Sequence, residues 1–136
     1  MKNIVFVYGT LKRGYSNNVL MKNSEYLGLG ITTKKYAMYE NGIPYVCESK
    51  EHTKIVGEVY KVDKQTLKSL DSLEGHPEWY KRKEIKVVFM ENQEKDLKEI
   101  TAWIYFMENT SIPIMASINN SGIFGMKDYL YNKYLK

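Results

Sequence analysis

Three groups of residues in this 136-residue chain have the types and spacing to do chemistry. The first is Tyr8-Gly9-Thr10-Leu11-Lys12-Arg13-Gly14, which directly follows a short apolar run. A glycine at the end of a buried strand lets the backbone approach a ligand closely, and the N–H groups that follow can converge on an anion. A β-turn that uses Gly9 and Gly14 for geometry alone fits the same residues. The segment matches neither the GxxxxGK[ST] phosphate loop nor GxGxxG. The second group is Leu70 to Arg82, LDSLEGHPEWYKR. Glu74 follows the stripe Leu67, Leu70, Leu73, so a helix would carry it inward at its last turn. A carboxylate beside a core has a raised pKa and can act as base and then as acid. The C-terminal end of a helix also disfavours negative charge, which makes the placement notable. Asp71, His76 and Glu78 lie close by and fit capping, pairing or solvation. The third group is Trp103, Tyr105 and Phe106. Strand alternation puts Trp103 and Tyr105 on one face and Ile104 and Phe106 on the other, so one pair could line a pocket.

The elements that must position these groups are legible in outline. Residues 2–8, KNIVFVY, read as a buried strand ending at Gly9. One or two helical turns are expected over 17–23, with Ser16 or Asn17 as N-cap. EYLGLGI at 25–31 reads as a strand in which Gly28 and Gly30 mark a bulge or bend. Asn41-Gly42 between apolar runs over 36–47 predicts a hairpin, with Pro44 at an edge or at the start of the second strand. KIVGEVYKV at 54–62 alternates as a strand. Asp63 caps a helix over 64–73 whose Leu67, Leu70 and Leu73 face the core. Gly75 and Pro77 then stop it. Strands follow at 80–90 and 101–107, joined by a charged loop at 91–99. The tail reads as irregular from 109 to 122, and FGMKDYLYNKYLK as a terminal helix with Met126 or Leu130, Tyr131, Tyr134 and Leu135 on one face. The expected fold class is α+β: a small, curved, barrel-like, mostly antiparallel β-sheet with flanking helices, as a single domain over residues 1–136.

Composition narrows the function. An apolar fraction of 43% with 26% charged residues is ordinary globular usage. No run approaches the 18 apolar residues of a membrane span, and the N-terminus lacks the features of a signal peptide. Of the 20 basic residues only Arg13 and Arg82 are arginine. The lysines are scattered among acids, unlike the arginine-rich surfaces that read nucleic acid. One cysteine, Cys47, forbids an intrachain disulfide and suggests a reducing, cytoplasmic setting. Cys47 fits a small buried residue. With His52 and His76 far apart, no metal-ligand spacing exists.

Three motifs in order carry a resemblance: FVYGTLKRG at 6–14, GEVYKVD at 57–63 and LDSLEGHPEWYKR at 70–82. Together they resemble the gamma-glutamylcyclotransferase-like family, and most closely its gamma-glutamylamine cyclotransferase branch. SGIFGMKDYL at 121–130 is similar to a C-terminal segment of bacterial relatives, while the rest of the chain after 90 departs from the amine-specific branch. The resemblance implies a reaction in which the α-amine of a γ-glutamyl group attacks its own γ-carbonyl, releasing 5-oxoproline and an amine. It implies Glu74 as the acid/base, the Tyr8-Gly9-Thr10-Leu11 loop as the substrate-binding loop, and Arg82 in a structural ion pair or at the cavity rim. Tyr80 and Tyr105 are further pocket candidates. No cofactor or metal is implied. The expected partner is a small γ-glutamyl compound, such as an amine, an ε-lysine isopeptide or a dipeptide. A ligand-binding protein on the same fold is the alternative, favoured if no cavity joins Glu74 to the Tyr8 loop.

Overall fold

The computed structural model describes residues 3–90 and 99–125. Five strands close a barrel in the order β1-β5-β2-β6-β7. They are β1 (Asn3–Val7), β2 (Glu25–Thr32), β5 (Val56–Val62), β6 (Tyr80–Phe89) and β7 (Glu99–Met107). Neighbours run antiparallel except at the seam, where β1 meets β7 in parallel at Val5 and Trp103. A bulge between Tyr26 and Gly28 bends β2 against β5, the local kink that a curling sheet needs.

The apolar run of β1 is continuous because both of its faces are covered. Phe6 points into the barrel with Val59, Val87, Ala102, Ile104 and Phe106. Val5 and Val7 point outward, against Leu67 and Leu70 of the helix α1 (Lys64–Glu74). The alternation read over 54–62 resolves in the same way, since every residue of β5 except Lys61 is buried. Asp63 caps α1 by accepting from Thr66 N at 2.7 Å. Burial of Leu67 and Leu70 contributes about 1.5–3 kcal/mol each. Leu73 departs from expectation and is 43% exposed. The last turn of α1 overhangs a cavity rather than a strand, so Leu73 lines the cavity instead of the core.

The predicted hairpin forms β3 (Ala37–Glu40) and β4 (Pro44–Cys47), with Pro44 opening the second strand. It does not join the barrel. It pairs with β8 (Ser117–Asn119) in a separate sheet of order β4-β3-β8, so part of the tail expected to be irregular is a strand. Asn119 gives the reason. Its amide donates to Glu40 Oε2 (3.0 Å) and Ile123 O (2.9 Å), and its oxygen accepts from the N–H groups of Ser121 and Gly122, each at 2.8 Å. Those bonds order a stretch with little apolar signal.

The helical turn expected over 17–23 is a 3-10 segment, Ser16–Met21, with Tyr15 at the N-cap position and no side-chain cap. The asparagine amides are used elsewhere: Asn17 donates to Thr10 Oγ1 and Asn18 to Leu11 O, both at 2.8 Å. Cys47 is a buried free thiol, as its composition suggests. The charged loop at 91–98 and the terminal helix beyond residue 125 lie outside the described residues. Among the described residues, no helix is long and apolar enough to cross a membrane.

Candidate active site

A cavity of about 610 Å³ opens between the mouth of the barrel, the last turn of α1 and the β3–β4 hairpin. Its wall carries Tyr8, Gly9, Thr10 and Leu11 from the loop after β1, Glu74 from α1, Tyr80 from the start of β6 and Tyr105 from β7. All seven residues singled out in the sequence for catalysis or substrate contact therefore meet at one surface, and Glu74 shares a cavity with the Tyr8 loop. Arg82 and Arg13 are not on that wall.

Glu74 is partly buried and has no hydrogen-bond or ion-pair partner among the described residues. Removal of its carboxylate from water raises the pKa from 4.5 to about 7. Gly75, in the left-handed conformation, ends the helix directly after it, and its N–H bonds back to Asp71 O and Ser72 O. The chain turns there, leaving Glu74 at the cavity rather than on a continuing helix.

The tyrosine hydroxyls act as struts. Tyr8 donates to Tyr105 O at 2.6 Å, and the backbone of Val46 on β4 also bonds it. Tyr8 thus ties the barrel to the small sheet, and burial drives its pKa well up. Tyr80 donates to Pro44 O at 3.0 Å. Its pKa is raised by burial and by the nearby Glu74. Tyr105 donates to Asp71 Oδ1 at 2.7 Å. Gly9 packs so closely on Pro44 that an added Cβ would stand 2.8 Å from its ring. The N–H groups of Gly9, Thr10 and Leu11 donate no hydrogen bond among the described residues. Donors left unused beside a cavity can take a carboxylate or an oxyanion.

Beneath the cavity, Arg82 grips Asp71 with two bonds, Nε–Oδ1 at 2.9 Å and Nη2–Oδ2 at 3.0 Å. Its guanidinium lies 4.2 Å from the centre of the Trp103 ring, and the backbone N–H of Arg82 donates to His76 Nδ1 at 3.0 Å. Burial works to raise the Asp71 pKa, but the bonds from Arg82 and Tyr105 outweigh it and hold the carboxyl low. Asp71 is thus an ionised anchor, while Glu74 one turn later is the poised acid. Spacing alone did not separate the two.

Arg13 serves elsewhere. Its N–H and guanidinium both meet Glu58, a buried acid of β5, at 2.8 and 3.3 Å. The neighbouring Lys12 is buried against Phe124 O and the rings of Tyr15 and Phe124. Burial lowers its pKa to about 8, against the pull of Glu58 and Glu40. These residues brace the loop from behind. Sequence reasoning did not assign Asn17, Ile43 or Leu73 to the cavity wall, where the structure places them beside Trp79, whose segment 76–79 was expected at the cavity mouth. For Leu73 the signal was present, since it precedes Glu74 on the same turn.

The family model described as gamma-glutamyl cyclotransferase, AIG2-like, matches residues 5–129. The chain belongs to this family. It is an enzyme of the gamma-glutamylcyclotransferase type. A protein of Methanocaldococcus jannaschii named a gamma-glutamylcyclotransferase is 50% identical over 103 residues, 75% of this chain and 82% of that protein. The rat gamma-glutamylaminecyclotransferase is 36% identical over 97 residues, 64% of each chain. The crystal structure of an AIG2-like mouse protein superposes with a TM-score of 0.71 at 27% identity, covering 83% of this chain and 80% of that one.

Proposed function

We propose that the chain, as one domain, cyclises γ-glutamyl amines or γ-glutamyl-ε-lysine type isopeptides in the cytoplasm, releasing 5-oxoproline and the free amine. One observation carries the reading: Glu74, the one acid that the described residues place on the cavity wall, is poised near pH 7 and faces the same cavity as the unused N–H groups of the Tyr8 loop. The substrate α-carboxylate sits on those N–H groups. Glu74 takes a proton from the α-ammonium, and the freed amine attacks the γ-carbonyl to give a tetrahedral oxyanion. The protonated Glu74 then gives its proton to the scissile nitrogen, the C–N bond breaks, and the ring nitrogen loses its remaining extra proton to the carboxylate so regenerated, which passes it to the departing amine and completes the lactam. A pKa near 7 suits a group that must do both jobs at neutral pH. Holding amine and carbonyl in one enclosed site supplies the proximity component of the rate. The cavity volume is within the range of small-ligand sites. γ-Glutamyl dipeptides are the alternative substrates, since the archaeal relative's name specifies no amine.

The test is a panel of γ-glutamyl amines, isopeptides and dipeptides assayed for 5-oxoproline. Glu74→Gln keeps the shape and removes the base, with an expected loss in kcat of about 10²–10⁴. A Gln variant within threefold of the parent would refute the assignment of Glu74, and absence of 5-oxoproline from every compound would refute the reaction.

A further inference from the structure

Most of the cavity wall is deep and fixed: Phe6, Val7, Tyr8, Leu11 and Tyr105 are buried. Three wall residues differ. Trp79 is 73% exposed, Leu73 43% and Ile43 42%. They come from three separate elements, namely the turn after α1, the last turn of α1 and the β3–β4 hairpin loop, and all three line the cavity while exposed to solvent, which marks its open end. Trp79 is not a loose surface side chain. Its backbone N–H donates to Gly75 O at 2.8 Å. Its Cβ, Cγ and Cδ1 crowd Gly75, where an added Cβ would stand 3.1–3.4 Å away. The indole is therefore seated on the residue next to Glu74.

Two further observations say what this apolar mouth can take. The glutamyl part of the substrate is bound at the buried end, where the Tyr8 loop lies, so the departing amine occupies the open end. Among the described residues the wall carries no lysine, arginine or histidine, and the one charged side chain they place there is the acid Glu74. A carboxylate next to the scissile nitrogen would find no cation there and would face Glu74 across an apolar surface, which is costly. An alkyl chain would instead cover the indole and both aliphatic side chains.

We propose that Trp79, with Ile43 and Leu73, is the leaving-group subsite, and that it selects an unbranched alkyl stem directly after the scissile nitrogen. The proposal rests on the cyclotransferase reading above and adds the residue that decides which amine departs.

The experiment measures 5-oxoproline release from γ-glutamyl-methylamine, -n-propylamine and -n-hexylamine and from γ-glutamylglycine, with the parent enzyme, Trp79→Ala and Trp79→Phe. A fully buried methylene is worth about fourfold in affinity, and a half-open mouth recovers only part of that. The expected hexylamine-to-methylamine ratio of kcat/KM is therefore about tenfold or more for the parent. It should fall at least threefold in Trp79→Ala and be largely kept in Trp79→Phe. The propylamide should exceed the nearly isosteric glycine compound by about tenfold, the direction set by the cost of an unpaired carboxylate. A flat alkyl series, a ratio unchanged in Trp79→Ala, or preference for the glycine compound would overturn the subsite while leaving the cyclotransferase reading intact. If none of the γ-glutamyl compounds releases 5-oxoproline, that reading fails and the subsite fails with it.

Discussion

Replacing Glu74 by glutamine should make the protein more stable at pH 8 while removing its activity. Burial raises the folded-state pKa from 4.5 to about 7, whereas in the unfolded chain the group is in water near its ordinary value. Between those two pH values the native chain binds more protons than the unfolded one, so stability falls as pH rises through the window. Above pH 7 the whole cost is present. A difference of roughly 2.5 pKa units corresponds to about 3 kcal/mol at 1.36 kcal/mol per unit. Glutamine has the same shape and never ionises, so Glu74→Gln escapes that cost. The measurement is urea unfolding of both proteins at pH 4.5, 6, 7 and 8. The stability difference should be small at pH 4.5, grow through pH 6–7 and level near 3 kcal/mol in favour of the variant. Groups common to both chains cancel in the subtraction, which isolates this carboxyl. A difference that does not change with pH, or that favours the parent at pH 8, would refute burial as the origin of the raised pKa.

Arg82→Lys loses the two-pronged grip on Asp71 and the stacking on Trp103. It should cost about 1.5–3 kcal/mol, as expected for charge-assisted bonds in a partly buried setting. The exposed Lys35→Ala should stay within about 0.5 kcal/mol. Thermal unfolding of the two side by side checks this, and equal melting temperatures would contradict it. Gly57→Ala would place a Cβ 2.4 Å from Val7 O and 2.8 Å from Phe6 Cζ. That forces β1 away from β5, at a cost of about 1–3 kcal/mol or more, visible as a lower urea midpoint.

Local signals made much of the fold legible. Asp63, the stripe Leu67–Leu70 and Gly75 each encode a helix boundary or face by themselves, and α1 ends within one residue of expectation. Asn41-Gly42 encodes its turn in the same way. The rest depended on what closes over what. Glu58 sits in a strand whose alternation reads as half solvated, yet residue 13 arrives from the β1 loop and Tyr60 Oη stands 2.9 Å away. Tyr60 is the next residue on the same face of β5, but Arg13 reaches Glu58 only because β1 pairs with β5 and carries its loop there. β8 was hidden because Asn119, a polar residue, supplies the order that apolar periodicity usually signals. At the site, residue types and order were enough to bring forward Glu74 and the Tyr8 loop. They could not rank Asp71 against Glu74, since both lie on one helix and only the Arg82 contact across the sheet distinguishes them. Leu73 was read as core because helical spacing reports a face without saying what lies opposite.

The seam between β1 and β7 has a consequence for how the protein is made. β1 is synthesised first, but its two neighbours are residues 56–62 and 99–107. Such long-range pairing slows folding, because chain entropy is spent before the contacts repay it. The Tyr8 loop takes its place only when β5 and β4 are present, and Tyr105 reaches Asp71 only when β7 is laid down. A nascent chain that stops short of residue 99 can cap and coil α1, yet it lacks Tyr105, which lines the cavity and bonds Asp71, and Trp103, on which Arg82 stacks. Competence should therefore arrive in one late step, when the last barrel strand docks against the first.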